Sequence, residues 1–99
     1  MVKRFEVFHY KSGAAMVPAL VVSPNELNAF LPYVIIAPIT EVVRRYPCRI
    51  KVNLKGKKGQ IALDMMQCCP KDKLSNKIGI LPGESHAEIL SVLNKMFAL

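Results

Sequence analysis

Ninety-nine residues, 52% hydrophobic and 21% charged, fit a single domain over 1–99 and exclude a two-domain cofactor enzyme, a disordered chain and a low-complexity one. A formal net charge of +7, from 14 Lys and Arg against 7 Asp and Glu, favours an acidic partner, either nucleic acid or protein. No apolar run reaches the roughly 18–20 residues that span a bilayer, and Met1-Val2-Lys3-Arg4-Phe5-Glu6 lacks the pattern of a signal peptide. A soluble cytoplasmic protein without membrane contact is expected.

Phe5 to Tyr10 alternates in polarity and predicts a strand with Phe5, Val7 and His9 on one face. Lys11 to Ala15 reads as a turn, and Pro18 to Val22 as a short strand buried on both faces. Ser23-Pro24-Asn25-Glu26 resembles a helix start with Ser23 as N-cap, and Pro32 ends that helix after a turn or two. Tyr33 to Thr40 is strongly β-prone and predicts the central strand. Cys48 to Leu54 alternates strictly, with Cys48, Ile50, Val52 and Leu54 inward and Arg49, Lys51 and Asn53 outward. Lys55-Gly56-Lys57-Lys58-Gly59 predicts a hairpin turn, and Gln60 to Met66 the returning strand. Pro70 to Leu74 suggests one helical turn, and Lys77 to Leu81 a closing strand. Ser85-His86-Ala87-Glu88 reads as a capping box opening a last helix, along which Ile89, Leu90, Leu93, Met96 and Phe97 share one side. Turn signals every ten residues or so favour a small antiparallel barrel of mainly β (α+β) class.

Charge is concentrated between Arg44 and Lys58, where Arg44, Arg45, Arg49, Lys51, Lys55, Lys57 and Lys58 occur with no acid between Glu41 and Asp64. Such a ridge suits phosphates held without base reading. The bland alternative is a solvated hairpin. Tyr33 and Tyr46 are too few for a stacking platform. Cys48, Cys68 and Cys69 are an odd number without metal-ligand spacing and are expected to be reduced packing residues. His9 and His86 stand far apart, and neither a metal site nor a cofactor is expected; His86 reads as a surface residue of a helix start. Metal-free RNA cleavage needs a base for the 2′-hydroxyl, a cation for the phosphorane and an acid for the leaving oxygen. Two histidines or an Arg–Thr pair can serve, and composition does not choose between them.

Val17 to Asn28, Val34 to Thr40, Gly59 to Asp64 and Lys77 to Leu81, taken in order, resemble the MazF/PemK toxins, while Phe5 to Lys11 and Leu93 to Phe97 are more similar to the related CcdB toxins. The resemblance implies a small SH3-like antiparallel β-barrel with a short helix insertion and a C-terminal amphipathic helix. It also implies a homodimer neutralised by a cognate acidic antitoxin whose tail lies across the basic surface. For the MazF/PemK group it implies a metal-independent endoribonuclease acting on single-stranded RNA with an Arg–Pro pair opening the second strand and a Thr closing the third. Thr40 matches that Thr in its Ala-Pro-Ile-Thr setting, whereas Val17 stands where the group has Arg, before Pro18. Lys11, Arg44 or Arg45 would then supply the missing cation beside Thr40, and Arg49, Lys51, Lys55, Lys57 and Lys58 would track the RNA. The CcdB resemblance implies instead a DNA gyrase poison acting through the end of the chain. That end reads Met96-Phe97-Ala98-Leu99, with the group's aromatic but without its Gly-Ile. A silent binding protein of the same fold is the third possibility.

Overall fold

The computed structural model describes residues 2–98. The strands are β1 (Glu6–Ser12), β2 (Ala15–Val21), β3 (Tyr33–Thr40), β4 (Arg49–Leu54), β5 (Lys57–Ala62), β6 (Gln67–Pro70) and β7 (Leu74–Ile80). The helices are α1 (Asn25–Phe30) and α2 (Gly83–Phe97), with single 3₁₀ turns at Leu63–Met65 and Lys71–Lys73. All strand pairs are antiparallel, in the order β4-β5-β3-β2-β1-β7. β3 is the hub: its first half also pairs with β6, from Tyr33 opposite Pro70 to Ile36 opposite Gln67, and its end pairs with β5, with Thr40 opposite Gln60. The sheet curls into a half-barrel with α1 inserted and α2 at its end, which matches the mainly β, barrel-like fold with a C-terminal helix that is expected.

Alternation along the strands creates two apolar layers. Leu20, Val22, Ala37, Ile39, Ile50, Ile61 and Leu63 face inward and meet Ile89 of α2, while Tyr10, Ala19, Val21, Val34, Ile36 and Cys69 pack on the opposite face. α2 buries Ile89 and rests Val92 and Leu93 on the core. Leu90, Met96 and Phe97, expected on that side, are exposed, because the face that meets the core runs through Ile89, Val92 and Leu93.

The chain departs from expectation where side chains serve tertiary contacts rather than local ones. Ser23 is not the N-cap of α1; Pro24 is, with no side-chain cap. The Ser23 hydroxyl instead donates to Asn28 Oδ1 (2.5 Å) and accepts the Ile35 N–H (3.0 Å), while Asn28 Nδ2 returns a bond to the Ser23 carbonyl. This buried knot ties α1 to β3, since a buried amide must find partners. Ser85 and Glu88 lie inside α2, whose N-cap is Pro82. His86 is not a mere surface residue: its ring stacks on Phe5 at 3.7 Å and its Nε2 lies 2.8 Å from the Leu81 carbonyl. Residues 67–70, absent from the predicted strands, form β6, and Cys68 is exposed whereas Cys69 is buried, which pushes its thiol pKa up. The β4–β5 turn is only Lys55-Gly56, both at positive φ, so Lys57 and Lys58 lie in the strand.

Candidate functional site

Strand alternation first decides which predicted residues share a face. β2 and β3 run side by side with Ala19 opposite Pro38, and Val17, Val34 and Ile36 pack on the same layer. The period of two therefore puts Thr40 on the face of Val17. Position 17 holds a half-buried apolar side chain there and no charge. His9 and Pro18, opposite each other in the β1–β2 ladder, alternate onto the inner face.

The two faces meet where the strands end. A cleft of about 520 Å³ opens there, lined by His9, Met16, Pro18, Thr40, Glu41, Lys55, Lys57, Lys58 and Asn76 among others. Five elements contribute: β1 gives His9, β2 gives Met16 and Pro18, the end of β3 gives Thr40, the β4–β5 hairpin gives three lysines, and β7 gives Asn76. The Thr40 oxygen accepts the Val42 N–H at 3.1 Å, which fixes the loop and leaves the O–H free to donate. His9 Nδ1 lies 3.2 Å from Asn76 Oδ1. An amide oxygen only accepts, so it holds the proton on Nδ1 and leaves the lone pair on Nε2. Glu41 faces Lys57 at 3.6 Å with both ends exposed, a contact worth little in water. Gly59 lies at the base of the cleft, where a Cβ would meet the Thr40 carbonyl oxygen at 3.0 Å, a tight contact.

A second concavity, also of about 520 Å³, lies beyond β5 and is lined by Val43, Arg44, Arg45, Tyr46, Pro47, Arg49, Lys51 and Gln60. Arg44 and Arg45, expected beside Thr40, are here and do not line its cleft. Neither does Lys11, exposed at the end of β1 opposite Met16. The structure thus brings Thr40 together with Lys55, Lys57 and Lys58. It adds His9 and Asn76, which spacing along the chain gave no means of finding.

Arg49 is a correction to the expected row of free cations. Its Nε and Nη2 donate to the two carboxylate oxygens of Asp64 at 2.7 and 3.1 Å, and its side chain is only 7% exposed. The bidentate bond from Arg49 holds the Asp64 carboxyl below the usual carboxylate range, against burial. At the far end, Met96 and Phe97 reach the surface at the close of α2 and Ala98 caps it; Leu99 lies outside the described residues. Among the described residues no cluster of three or more His, Cys, Asp or Glu side chains forms a metal-binding group. Nor is any helix there long and apolar enough to cross a membrane.

The fold is shared with solved structures at low sequence identity. An endoribonuclease of a Mycobacterial species, in complex with its cognate antitoxin, matches with a TM-score of 0.90 at 22% identity, over 100% of this chain and 97% of that one. The Mycobacterium tuberculosis toxin MazF-mt6 matches with 0.84 at 22%, over 95% and 97%. MazF in a MazE–MazF complex from Deinococcus radiodurans matches with 0.84 at 18%, over 99% and 96%. Among curated proteins none matches the sequence. The model of the PemK-like, MazF-like toxins of type II toxin–antitoxin systems matches residues 4–97, and the chain therefore belongs to that family.

Proposed function

We propose that this protein is a toxin that cuts single-stranded RNA through its own side chains, without a metal ion. The observation that carries the reading is the cleft in which Thr40 and three lysines of the hairpin converge with His9. Lys55, Lys57 and Lys58 hold the scissile phosphate and its neighbour, replacing the cation that Val17 lacks. The Thr40 hydroxyl donates to a non-bridging oxygen. His9 Nε2 takes the proton of the 2′-hydroxyl as the O2′–P bond forms. The P–O5′ bond breaks, the 5′-oxygen takes a proton from water or a lysine ammonium, and a 2′,3′-cyclic phosphate remains. Positioned proton transfer of this kind contributes about 10²–10⁴ in rate, and the cations add electrostatic stabilisation where charge develops.

The net charge of +7 supports an acidic antitoxin as the partner, ordering its tail across the cleft and the basic hairpin. Exposed Ile80 on β7 and Leu90 and Phe97 on α2 supply apolar surface for a second copy in a homodimer. A cytoplasmic setting completes the reading.

The test is purified protein with a long single-stranded RNA in EDTA, fragment ends mapped, beside Thr40→Ala. Cuts at a short recurring motif, at least 10-fold slower in the variant, support the reading. Intact RNA, with trapped DNA–gyrase complexes in a parallel assay, would replace it with the gyrase poison and make exposed Phe97 the residue to mutate.

A further inference from the structure

We propose that the concavity of Arg44, Arg45, Tyr46 and Lys51 is a nucleotide subsite, in which Tyr46 stacks one RNA base and the three cations hold the adjoining phosphate. This rests on the ribonuclease reading and extends it to substrate selection beside the cleft of Thr40.

The loop between β3 and β4 is tied to β5 through Arg44. The Gln60 amide, 4% exposed, accepts the Arg44 N–H at 2.9 Å and donates to the Arg44 carbonyl at 3.1 Å. Both backbone groups of Arg44 are thus paired, and Pro47 restricts the chain three residues on. Tyr46 is placed by Arg49, whose guanidinium carbon sits 5.2 Å from the ring centroid and is itself locked by two bonds to Asp64. Half of Tyr46 remains exposed and lines the concavity. The ring therefore rests against Arg49 before any ligand arrives, a partial preorganisation that lowers the entropic cost of stacking.

Charge points to the same ligand. No carboxylate lines this concavity, and Asp64, just outside it, is already neutralised by Arg49. Arg44, Arg45 and Lys51 are left to offer uncompensated positive charge around an aromatic ring. The volume of about 520 Å³ falls in the roughly 300–1,000 Å³ range of small-molecule pockets. An acidic peptide would use the cations and leave the ring idle; a nucleotide uses both.

Location adds a role. Thr40 pairs with Gln60, and Gln60 with Lys51, in one row across β3, β5 and β4. At about 4.8 Å per strand spacing, the Lys51 backbone is roughly 10 Å from that of Thr40. A phosphate held by Lys51 is then close along the strand to the one being cut, so the subsite bears on which sequences are cleaved.

The test is anisotropy titration of the whole protein with a 2′-O-methylated RNA, which binds but is not cut, and with an abasic strand of equal length. Tyr46→Ala and Tyr46→Leu are expected to weaken RNA binding about 5- to 150-fold, as for one lost base stack. They should leave the salt slope and the affinity for the abasic strand unchanged. Tyr46→Phe should bind as the parent does. Lys51→Ala should lower the log–log salt slope by about one. Circular dichroism melts confirm that each variant is folded. Unchanged RNA affinity in both Tyr46 variants would overturn the subsite while cleavage at Thr40 stands. Equal losses on the RNA and the abasic strand would overturn it too, by showing a purely ionic surface. A parent protein that binds an acidic peptide here and no RNA would overturn the subsite and the ribonuclease reading together.

Discussion

Arg49 and Asp64 close a two-bond ion pair at 2.7 and 3.1 Å, joining the start of β4 to the 3₁₀ turn after β5. The pair fastens the far end of the hairpin that carries Lys55, Lys57 and Lys58 into the cleft. It also takes one cation out of the ridge that contacts a polyanion, and turns it into the support beneath Tyr46. A residue that alternation correctly sends outward thus serves the scaffold rather than the ligand.

Stability should fall in acid. Burial pushes the Glu6 carboxyl up, but the hydrogen bonds from Lys77 and the Lys3 N–H and their charges outweigh it, and its pKa is lowered. The Asp64 carboxyl is lowered chiefly by the Arg49 bond. A depressed folded-state pKa gives stability that is complete above the unfolded carboxylate value of about 4 and is lost as pH falls through the folded one. Thermal melts should be level from about pH 5 upward and drop below about pH 4. Asp64→Asn should cost about 1–3 kcal/mol at neutral pH, because charge-assisted bonds to a nearly buried guanidinium are lost. It should also flatten the acid limb; a limb as steep as the parent's would assign the acid sensitivity to Glu6 alone.

Gly59→Ala should injure the site without touching a charge. The new methyl lies 3.0 Å from the Thr40 carbonyl oxygen and 3.3 Å from Ile39 Cγ2, and backbone yields less readily than a side-chain tip. A loss of about 1–3 kcal/mol is expected from overpacking. The displacement of β3 from β5 should slow RNA cleavage beyond what the lost stability explains. Melting and single-turnover rates measured below the melting range separate the two effects.

How much of this was readable in the chain varies with the physics of each part. The strict alternation of Cys48 to Leu54 gave β4 and its buried face, because one side of that hairpin meets the core and the other meets water. β6 carried no such pattern: Gln67-Cys68-Cys69-Pro70 is short and joins the sheet only through the first half of β3. Ser23 resembles a cap because local spacing does not show that its hydroxyl is spent on the Asn28 amide and the Ile35 N–H, and Ser85 lies inside α2, whose N-cap is Pro82. The cleft was least legible. Thr40 stood out by its resemblance to family members, but His9, Thr40, the lysines and Asn76 come from four elements that only the folded sheet brings together.

His9 should carry the proton-accepting step of cleavage. The charged groups around it in the cleft are Glu41, Lys55, Lys57 and Lys58; Lys77, beside Asn76, is turned to Glu6 at 2.6 Å. His9→Ala should lower the rate about 10²-fold or more with RNA affinity kept, and added imidazole should restore part of it. Asn76→Ala, which frees the ring to change tautomer, should act more weakly and respond less to imidazole. A rate unchanged in His9→Ala would move the proton-accepting role to another group.

Val17→Arg tests what the missing family cation is worth here. Position 17 is half-buried on the Thr40 face, at the edge of the outer layer formed by Tyr10, Ala19 and Val21. A long side chain there can lay its methylenes over that layer and carry the guanidinium to the strand end. If the lysines of the hairpin only partly replace a fixed guanidinium beside the phosphate, the substitution should raise kcat by as much as about 10²–10³, the usual worth of one transition-state contact. Thr40→Ala should abolish the gain, since the two residues then act on the same oxygen. Rates of the single and double variants on one RNA form a cycle that measures this coupling. A gain that survives Thr40→Ala would mean that the arginine improves RNA capture alone, and that chemistry at the cleft runs through His9 and the lysines.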